Sequence, residues 1–302
     1  MSGPRVLDRR GRLTRTALAL WRRWDTDPPF WLPLLSPLTM AVAATDMRRR
    51  LAGRQPPPAS PRVVSVGALA TGGSGKTPVV LSLVEGLLAV GQDVAIVTRG
   101  YGSDERAPLV VDADDARCGD EARLLAGRLP AAMVVQARDR TAGLRLLRDL
   151  RPELDLVILE DGHQCAGQGR HLDVLILDRW RASGGGVVPE AGLRLPWGSY
   201  REGAAGAARA SVWLLPLAAG EAMPAQPDTG PAVLGFERRV ALPDGVAAPA
   251  DRPYGGARGI ASPGHFEAGC AAVCGTPPAL TPRLRDPAAY APPAGAHPPA
   301  PG

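Results

Sequence analysis

From residue 62 onward, short runs of Val, Ile and Leu alternate with longer stretches of helical character. Val63–Val66, Val94–Thr98, Met133–Val135, Leu154–Leu159 and Val174–Leu177 are predicted to be buried strands, and Pro78–Ala89, Glu121–Leu129 and Thr141–Leu150 the helices between them. Strands and helices in regular alternation imply right-handed crossovers and a largely parallel sheet. The pattern therefore predicts an α/β fold with three layers, helices on both faces of the sheet.

On either side of this stretch the pattern changes. Trp180–Leu217 is looser, with a glycine run at Gly184–Gly186 and one further strand expected at Ser211–Leu215. Ala232–Leu242 has the composition of one or two more strands, and the Pro/Ala-rich stretch 277–302 reads as poorly ordered. Before residue 62, Pro28–Thr45 is apolar and uncharged, but Pro28, Pro29, Pro33 and Pro37 each interrupt helical hydrogen bonding. That favours a segment dipping into a membrane interface over one that spans it; a helix packed on the protein's own core is the other reading. Gln55–Pro61 is a proline-rich hinge. The expected organisation is a basic, aromatic segment at 1–54, an α/β domain at 55–217, a smaller and incomplete C-terminal α/β lobe at 218–276, and a tail at 277–302.

Composition narrows the class. With 302 residues, 45% hydrophobic but only 4% aromatic, the core must be built from Leu, Val and Ala, and fibrous or wholly disordered classes are excluded. The formal charge of +5 is uneven: residues 1–54 hold eleven Arg against four Asp. A basic segment can meet nucleic acid or an anionic membrane. The tryptophans and prolines between the Arg clusters favour lipid, so no nucleic-acid partner is expected. Four scattered cysteines (118, 165, 270, 274) suit a reducing compartment, and Cys270 and Cys274 lack a second pair to complete a metal site.

The strongest chemical signal is Ala70-Thr71-Gly72-Gly73-Ser74-Gly75-Lys76-Thr77, between a predicted strand and a predicted helix. It matches the phosphate-binding P-loop pattern except that Ala70 takes the place of the first glycine. Gly72, Gly73 and Gly75 let successive backbone N–H groups curl around a phosphate, and the following helix points its positive end at the anion. Lys76 supplies a point charge to the β- and γ-phosphates of ATP, and Thr77 a hydroxyl to Mg²⁺. Lys76 is the only lysine in a chain with 34 arginines, so a compact ammonium is kept where a forked guanidinium does not fit. The α/β pattern is therefore P-loop NTPase-like.

Such a site needs acidic partners. The apolar strand of Leu154–Leu159 ends in Glu160-Asp161, and alternation sends one carboxylate toward the nucleotide and the other toward a neighbouring loop. Asp161 is assigned to metal or water contact and Glu160 to support, with the two roles exchangeable. Asp120, in Cys118-Gly-Asp-Glu121, reads either as a base that accepts the proton of an attacking hydroxyl or as the N-cap of the next helix.

Together, Ser65–Pro78, Thr98-Arg-Gly-Tyr-Gly102, Gly119-Asp-Glu121 and Glu160-Asp-Gly-His-Gln164 resemble the tetraacyldisaccharide 4′-kinases of lipid A synthesis, in order and approximate spacing, over roughly residues 15–215. The resemblance implies an ATP- and Mg²⁺-dependent kinase. It would phosphorylate the 4′-hydroxyl of a tetraacyldisaccharide 1-phosphate, and would sit peripherally on the anionic cytoplasmic face of a bacterial inner membrane. It further implies that Asp120 is the catalytic base, that Arg99 and Tyr101 lie near phosphate or disaccharide, and that Arg138 or Arg140 meets an anionic group.

The chain also departs from the family pattern. Glu160 stands where the family has Asp, Cys165 where a His follows Gln, Leu193-Arg-Leu-Pro196 for Pro/Leu-Arg-Glu-Pro, and Asp286-Pro-Ala-Ala-Tyr290 for Asp-His-His-x-Tyr. These departures leave a second function open, a degenerate member that binds ATP with little turnover. A third is a regulatory P-loop ATPase or nucleic-acid binder using the basic segment.

Overall fold

The computed structural model describes residues 56–237 except 72, 166, 185, 196, 219, 227 and 228, together with Trp24, Pro29, Pro37, Met40, Ala41, Ala44, Ala271, Val273 and Cys274. The central elements follow in the order β1 Arg62–Ala68, α1 Lys76–Ala89, β2 Val94–Thr98, β3 Leu109–Val110, α2 Asp120–Arg128, β4 Met133–Gln136, α3 Arg140–Leu150, β5 Leu156–Glu160 and β6 Leu172–Ile176. A hairpin of β7 Trp180–Ser183 and β8 Gly186–Pro189, a 3-10 helix Ala204–Arg209, and strands β9 Val212–Leu217 and β10 Ala232–Glu237 complete the described chain.

Eight strands form one sheet in the order β10-β9-β6-β1-β5-β2-β4-β3. Every pairing is parallel except β3 with β4. The five predicted strands and three predicted helices all form, shifted by at most two residues at their ends. The hairpin β7–β8 has no counterpart among the predicted strands, because both are four residues long, β7 is largely exposed and the turn lies within a glycine run. The sheet also runs past residue 217, since β10 pairs with β9 along its whole length, Ala232 with Val212 through Glu237 with Leu217.

Alternation along the strands builds the layers. Val66, Ile96, Val134 and Ile158 point to the face covered by Val80 and Val84 of α1 and by Ala122 and Leu125 of α2. Val63, Val97, Val135 and Leu159 point to the opposite face, against Leu144 and Leu147 of α3. Farther along that second face, Leu69, Leu175 and Leu215 are covered by Ala207 of the 3-10 helix and by Tyr200. Strands buried on both faces read as unbroken apolar runs, which is why periodicity located them.

Parallel strands deliver all their carboxyl ends to one edge, and in open α/β sheets that edge carries the ligand site. The P-loop leaves the end of β1, Glu160 ends β5, Thr98 ends β2 and Gln136 ends β4. The expectations for 28–45, for most of 218–276 and for 277–302 fall largely on residues outside those described. Among the described residues no helix is long and apolar enough to cross a membrane.

Ile158 lies at the centre of the sheet, fully buried on the α1/α2 face. Ile158→Ala is expected to destabilise the protein by about 2–5 kcal/mol, whereas Val110→Thr on the exposed edge strand should change stability by less than about 0.5 kcal/mol; urea unfolding followed by circular dichroism measures both.

Candidate active site

The P-loop turns out of β1 through residues that ordinary side chains would strain. Gly75 precedes α1 with φ 83°, a left-handed conformation open to glycine at no steric cost. Gly72 is outside the described residues. Lys76 opens α1, only 9% exposed, and its Nζ donates to Ser74 Oγ at 3.1 Å and stands 3.7 Å from Asp161 Oδ1. The start of the loop is held from the flank: Thr71 N–H and its hydroxyl both donate to Ser199 O, at 2.7 and 2.9 Å, and Ala70 bridges to Tyr200. Ala70 is itself almost fully buried against this segment.

Asp161 follows β5 with φ 54°, a left-handed conformation that costs a non-glycine residue about 1–2 kcal/mol. Its carboxylate is held on two sides, by Lys76 and by Arg201, whose Nη1 lies 2.7 Å from Oδ2. Burial pushes the Asp161 carboxyl up, but the positive charges of Lys76 and Arg201 outweigh it and hold it below the usual range. Glu160 differs. It is 1% exposed, Thr98 Oγ1 donates to its Oε2 at 3.0 Å, and its Oε1 has no hydrogen-bond partner among the described residues. Burial, then the neighbouring charges of Glu121 and Asp161, raise the Glu160 carboxyl to about 7 despite Lys76. The two carboxylates are thus separated by environment, one firmly ionised and the other poised.

Asp120 is the first residue of α2, and the N-cap is Gly119, so the capping alternative does not hold. Asp120 is exposed and has no hydrogen bond or ion pair among the described residues. Its neighbour Glu121 accepts a short hydrogen bond from the Thr77 hydroxyl, which ties the start of α2 to the P-loop. Glu121 was not among the candidate site residues, and nothing in the local sequence marks a contact 44 residues away.

Arg99 and Tyr101 are exposed on the loop after β2, Tyr101 at 68%. Arg140 departs from its expected role. It is buried, with Nη1 donating to Ala137 O at 2.8 Å and Nη2 to Glu160 O at 3.0 Å, so it braces the end of β5 from within rather than facing an incoming ligand. Arg138 Nη2 donates to Ser103 O at 2.8 Å.

Leu195 offers no acid, but the structure brings an Arg-Glu pair into the site from farther on, in Tyr200-Arg-Glu-Gly203. Arg201 reaches Asp161, while Glu202 accepts from Gln164 Nε2 at 3.0 Å and from Arg209 Nη2 at 2.7 Å. Gln164 further donates to Ala68 O at 2.8 Å and accepts from Arg201 Nη1 at 2.9 Å. Behind it His163, with a fully buried side chain, meets Asp173 Oδ2 at 2.9 Å and Gly206 O at 3.2 Å. The spacing Arg-Glu-Gly after an aromatic residue was the available signal.

The sequence matches the family tetraacyldisaccharide-1-P 4′-kinase (LpxK) over residues 31–289. It is 40% identical over 175 residues to the tetraacyldisaccharide 4′-kinase of Rhodospirillum centenum, covering 57% of this chain and 50% of that one. It is 39% identical over 181 residues to that of Chromobacterium violaceum, covering 56% and 52%. The chain thus spans about half the length of the curated relatives it matches. The fold is similar to the crystal structure of the "apo" form of LpxK from Aquifex aeolicus in complex with ATP, with a TM-score of 0.64 and 25% identity, covering 87% of this chain and 85% of that one.

The raised Glu160 carboxyl has a stability consequence. A group whose folded pKa is raised contributes fully below its ordinary value of 4.5 and loses that contribution as pH rises toward about 7. With a chelator present, wild type and Glu160→Gln are therefore expected to match near pH 4.5. Wild type should fall behind by on the order of 3 kcal/mol by pH 7, read as the difference between their urea unfolding free energies.

Proposed function

The chain belongs to the tetraacyldisaccharide 4′-kinase family, and on that footing we propose that it transfers the γ-phosphate of ATP to the 4′-hydroxyl of tetraacyldisaccharide 1-phosphate. The observation that carries this reading is the meeting at one sheet edge of Lys76 and Thr77 of the nucleotide loop and a carboxylate, Asp120, left unengaged beside them. The amides of residues 72–77 and the Lys76 ammonium hold the β- and γ-phosphates, with the positive end of α1 behind them. Asp120 Oδ accepts the proton of the acceptor hydroxyl as that oxygen attacks phosphorus. Arg99 and Tyr101, on the exposed loop beside Asp120's helix, face the phosphorylated disaccharide. Catalysis of this kind is mostly positioning and charge neutralisation, which rigid strand ends supply.

The donors also fit Mg²⁺. Glu160 Oε1 and Asp161 Oδ1 are buried without hydrogen-bond partners among the described residues, and Thr77 and Glu121 bring further hard oxygens to the same end of α1. Among the described residues no three acidic, His or Cys side chains gather closely enough to hold a metal alone, so nucleotide phosphates would complete the shell. Thr77, Glu121, Glu160 and Asp161 would hold the ion, which when bound neutralises phosphate charge. Arg201 and Arg140 keep the end of β5 in place from either side.

The lipid side of the reading concerns the N-terminal segment. Pro37, Met40, Ala41 and Ala44 are helical and exposed, within the uncharged apolar run Pro28–Thr45. With Arg48–Arg50 just beyond, this supports peripheral binding to an anionic membrane surface, the cytoplasmic face of an inner membrane, where an acylated substrate resides. Trp24 of the same segment lies 6.3 Å, ring centre to ring centre, from Trp197.

The test is transfer of labelled γ-phosphate from ATP to tetraacyldisaccharide 1-phosphate in detergent micelles. Lys76→Ala is expected to leave below about 1% of wild-type transfer, and Asp120→Asn to lower kcat by at least about 100-fold with ATP binding nearly unchanged. No transfer by the wild type with ATP still bound would instead favour the degenerate reading.

A further inference from the structure

Gln136, the last residue of β4, is 2% exposed and carries none of the roles described above. Its Oε1 accepts the Gly119 N–H at 2.7 Å, and its Nε2 donates to Ser103 Oγ at 2.8 Å. The Ser103 hydroxyl has one hydrogen, which it gives to Arg117 O at 2.5 Å, so toward Gln136 it can only accept. That fixes the amide: turned over, it would set an NH₂ group against the Gly119 N–H. Neither a carboxylate nor an apolar side chain of the same size can make both bonds.

The three segments so joined have no slack between them. A Cβ on Gly100 would fall 2.0 Å from the Gln136 side chain, and one on Gly119 would fall 2.4 Å from Tyr101 O. One buried amide therefore links the loop bearing Arg99 and Tyr101 to the residue preceding Asp120. The start of the P-loop is held from the other flank of β1, by Ser199, Tyr200 and Arg201, and its end meets α2 through Thr77 and Glu121.

We propose that Gln136 is a positioning residue that locks the Arg99–Ser103 loop and Asp120 into one rigid unit, setting the proton-accepting carboxylate against the acceptor hydroxyl without itself touching the nucleotide loop. The proposal rests on the reading of Asp120 as the proton acceptor. A misplacement of ~1 Å costs about 100-fold in rate, so losing the lock should register in turnover before it registers in nucleotide affinity.

The test compares Gln136→Leu, Gln136→Glu and Ser103→Ala by steady-state phosphate transfer, by ATP affinity from calorimetry and by melting temperature. Gln136→Leu is expected to lower kcat by about 10–100-fold with the ATP Kd within about twofold. Gln136→Glu, which keeps the acceptor for Gly119, should recover part of that loss, and Ser103→Ala, which removes the Nε2 partner together with the bonds to Arg117 O and from Glu105 N–H but keeps the bond to Gly119, should show a smaller loss of the same kind. In an Asp120→Asn background, Gln136→Leu should change the residual rate by less than about twofold, because the group it positions is gone. A lowered melting temperature with unchanged kcat in Gln136→Leu and Ser103→Ala would overturn the proposal, leaving a structural role alone. An equal loss with or without Asp120 would overturn it too. Wild-type turnover in Asp120→Asn by itself would overturn the assignment of the base, and this proposal with it.

Discussion

An ammonium group held at the foot of a phosphate loop, 9% exposed, is the constraint around which the site is arranged. Taking a charge out of water costs several kcal/mol unless a counter-charge and hydrogen bonds meet it. Lys76 has Ser74 at 3.1 Å and Asp161 at 3.7 Å. Asp161 can stand there only in a left-handed backbone conformation, and Arg201 holds its other oxygen. Arg201 is in turn fixed by Gln164, and Gln164 by Glu202 and the end of β1. Each charge in this chain is the reason for the next one, and the last links reach the buried His163 and Asp173.

Glu160 shows what happens to a carboxylate outside that chain. Two neighbouring negative charges and a dry surrounding leave it without a cation of its own, and its carboxyl is raised to about 7. A site that must accept ATP with a divalent cation benefits from such a group, because an incoming positive charge finds acidic oxygens that the protein has not already neutralised.

On the proposed reading, different halves of the sheet edge would serve the two substrates. The nucleotide loop leaves β1 and is braced by residues after β8, whereas Asp120, Tyr101 and Arg99 leave the β2 and β4 side and are braced by Gln136 and Ser103. The short contact between Thr77 and Glu121 ties the two halves together. Phosphoryl transfer demands in-line geometry between two separately bound reactants, a demand that two rigid halves in contact would meet.

The sequence by itself determined the sheet strands, the helices and the nucleotide loop, because their signals are local. Val63–Val66 and Leu154–Leu159 are apolar runs that only a doubly covered strand buries, and Gly73-Ser-Gly75-Lys76 can wrap a phosphate wherever it follows such a strand. The same local logic placed Glu160 and Asp161 at a strand end but could not tell which would be ionised, since that depends on Arg201, forty residues on. It left Asp120 between cap and base, and the position of Gly119 at the N-cap of α2 removed the cap reading. The resemblance brought Arg140 to an anionic group, whereas the structure buries it beside the Glu160 carbonyl. Tertiary structure alone brought Glu121, Gln136, Arg201 and Glu202 into the site, because a hydrogen bond or a Coulomb contact acts across space and leaves no period or spacing in the chain that forms it.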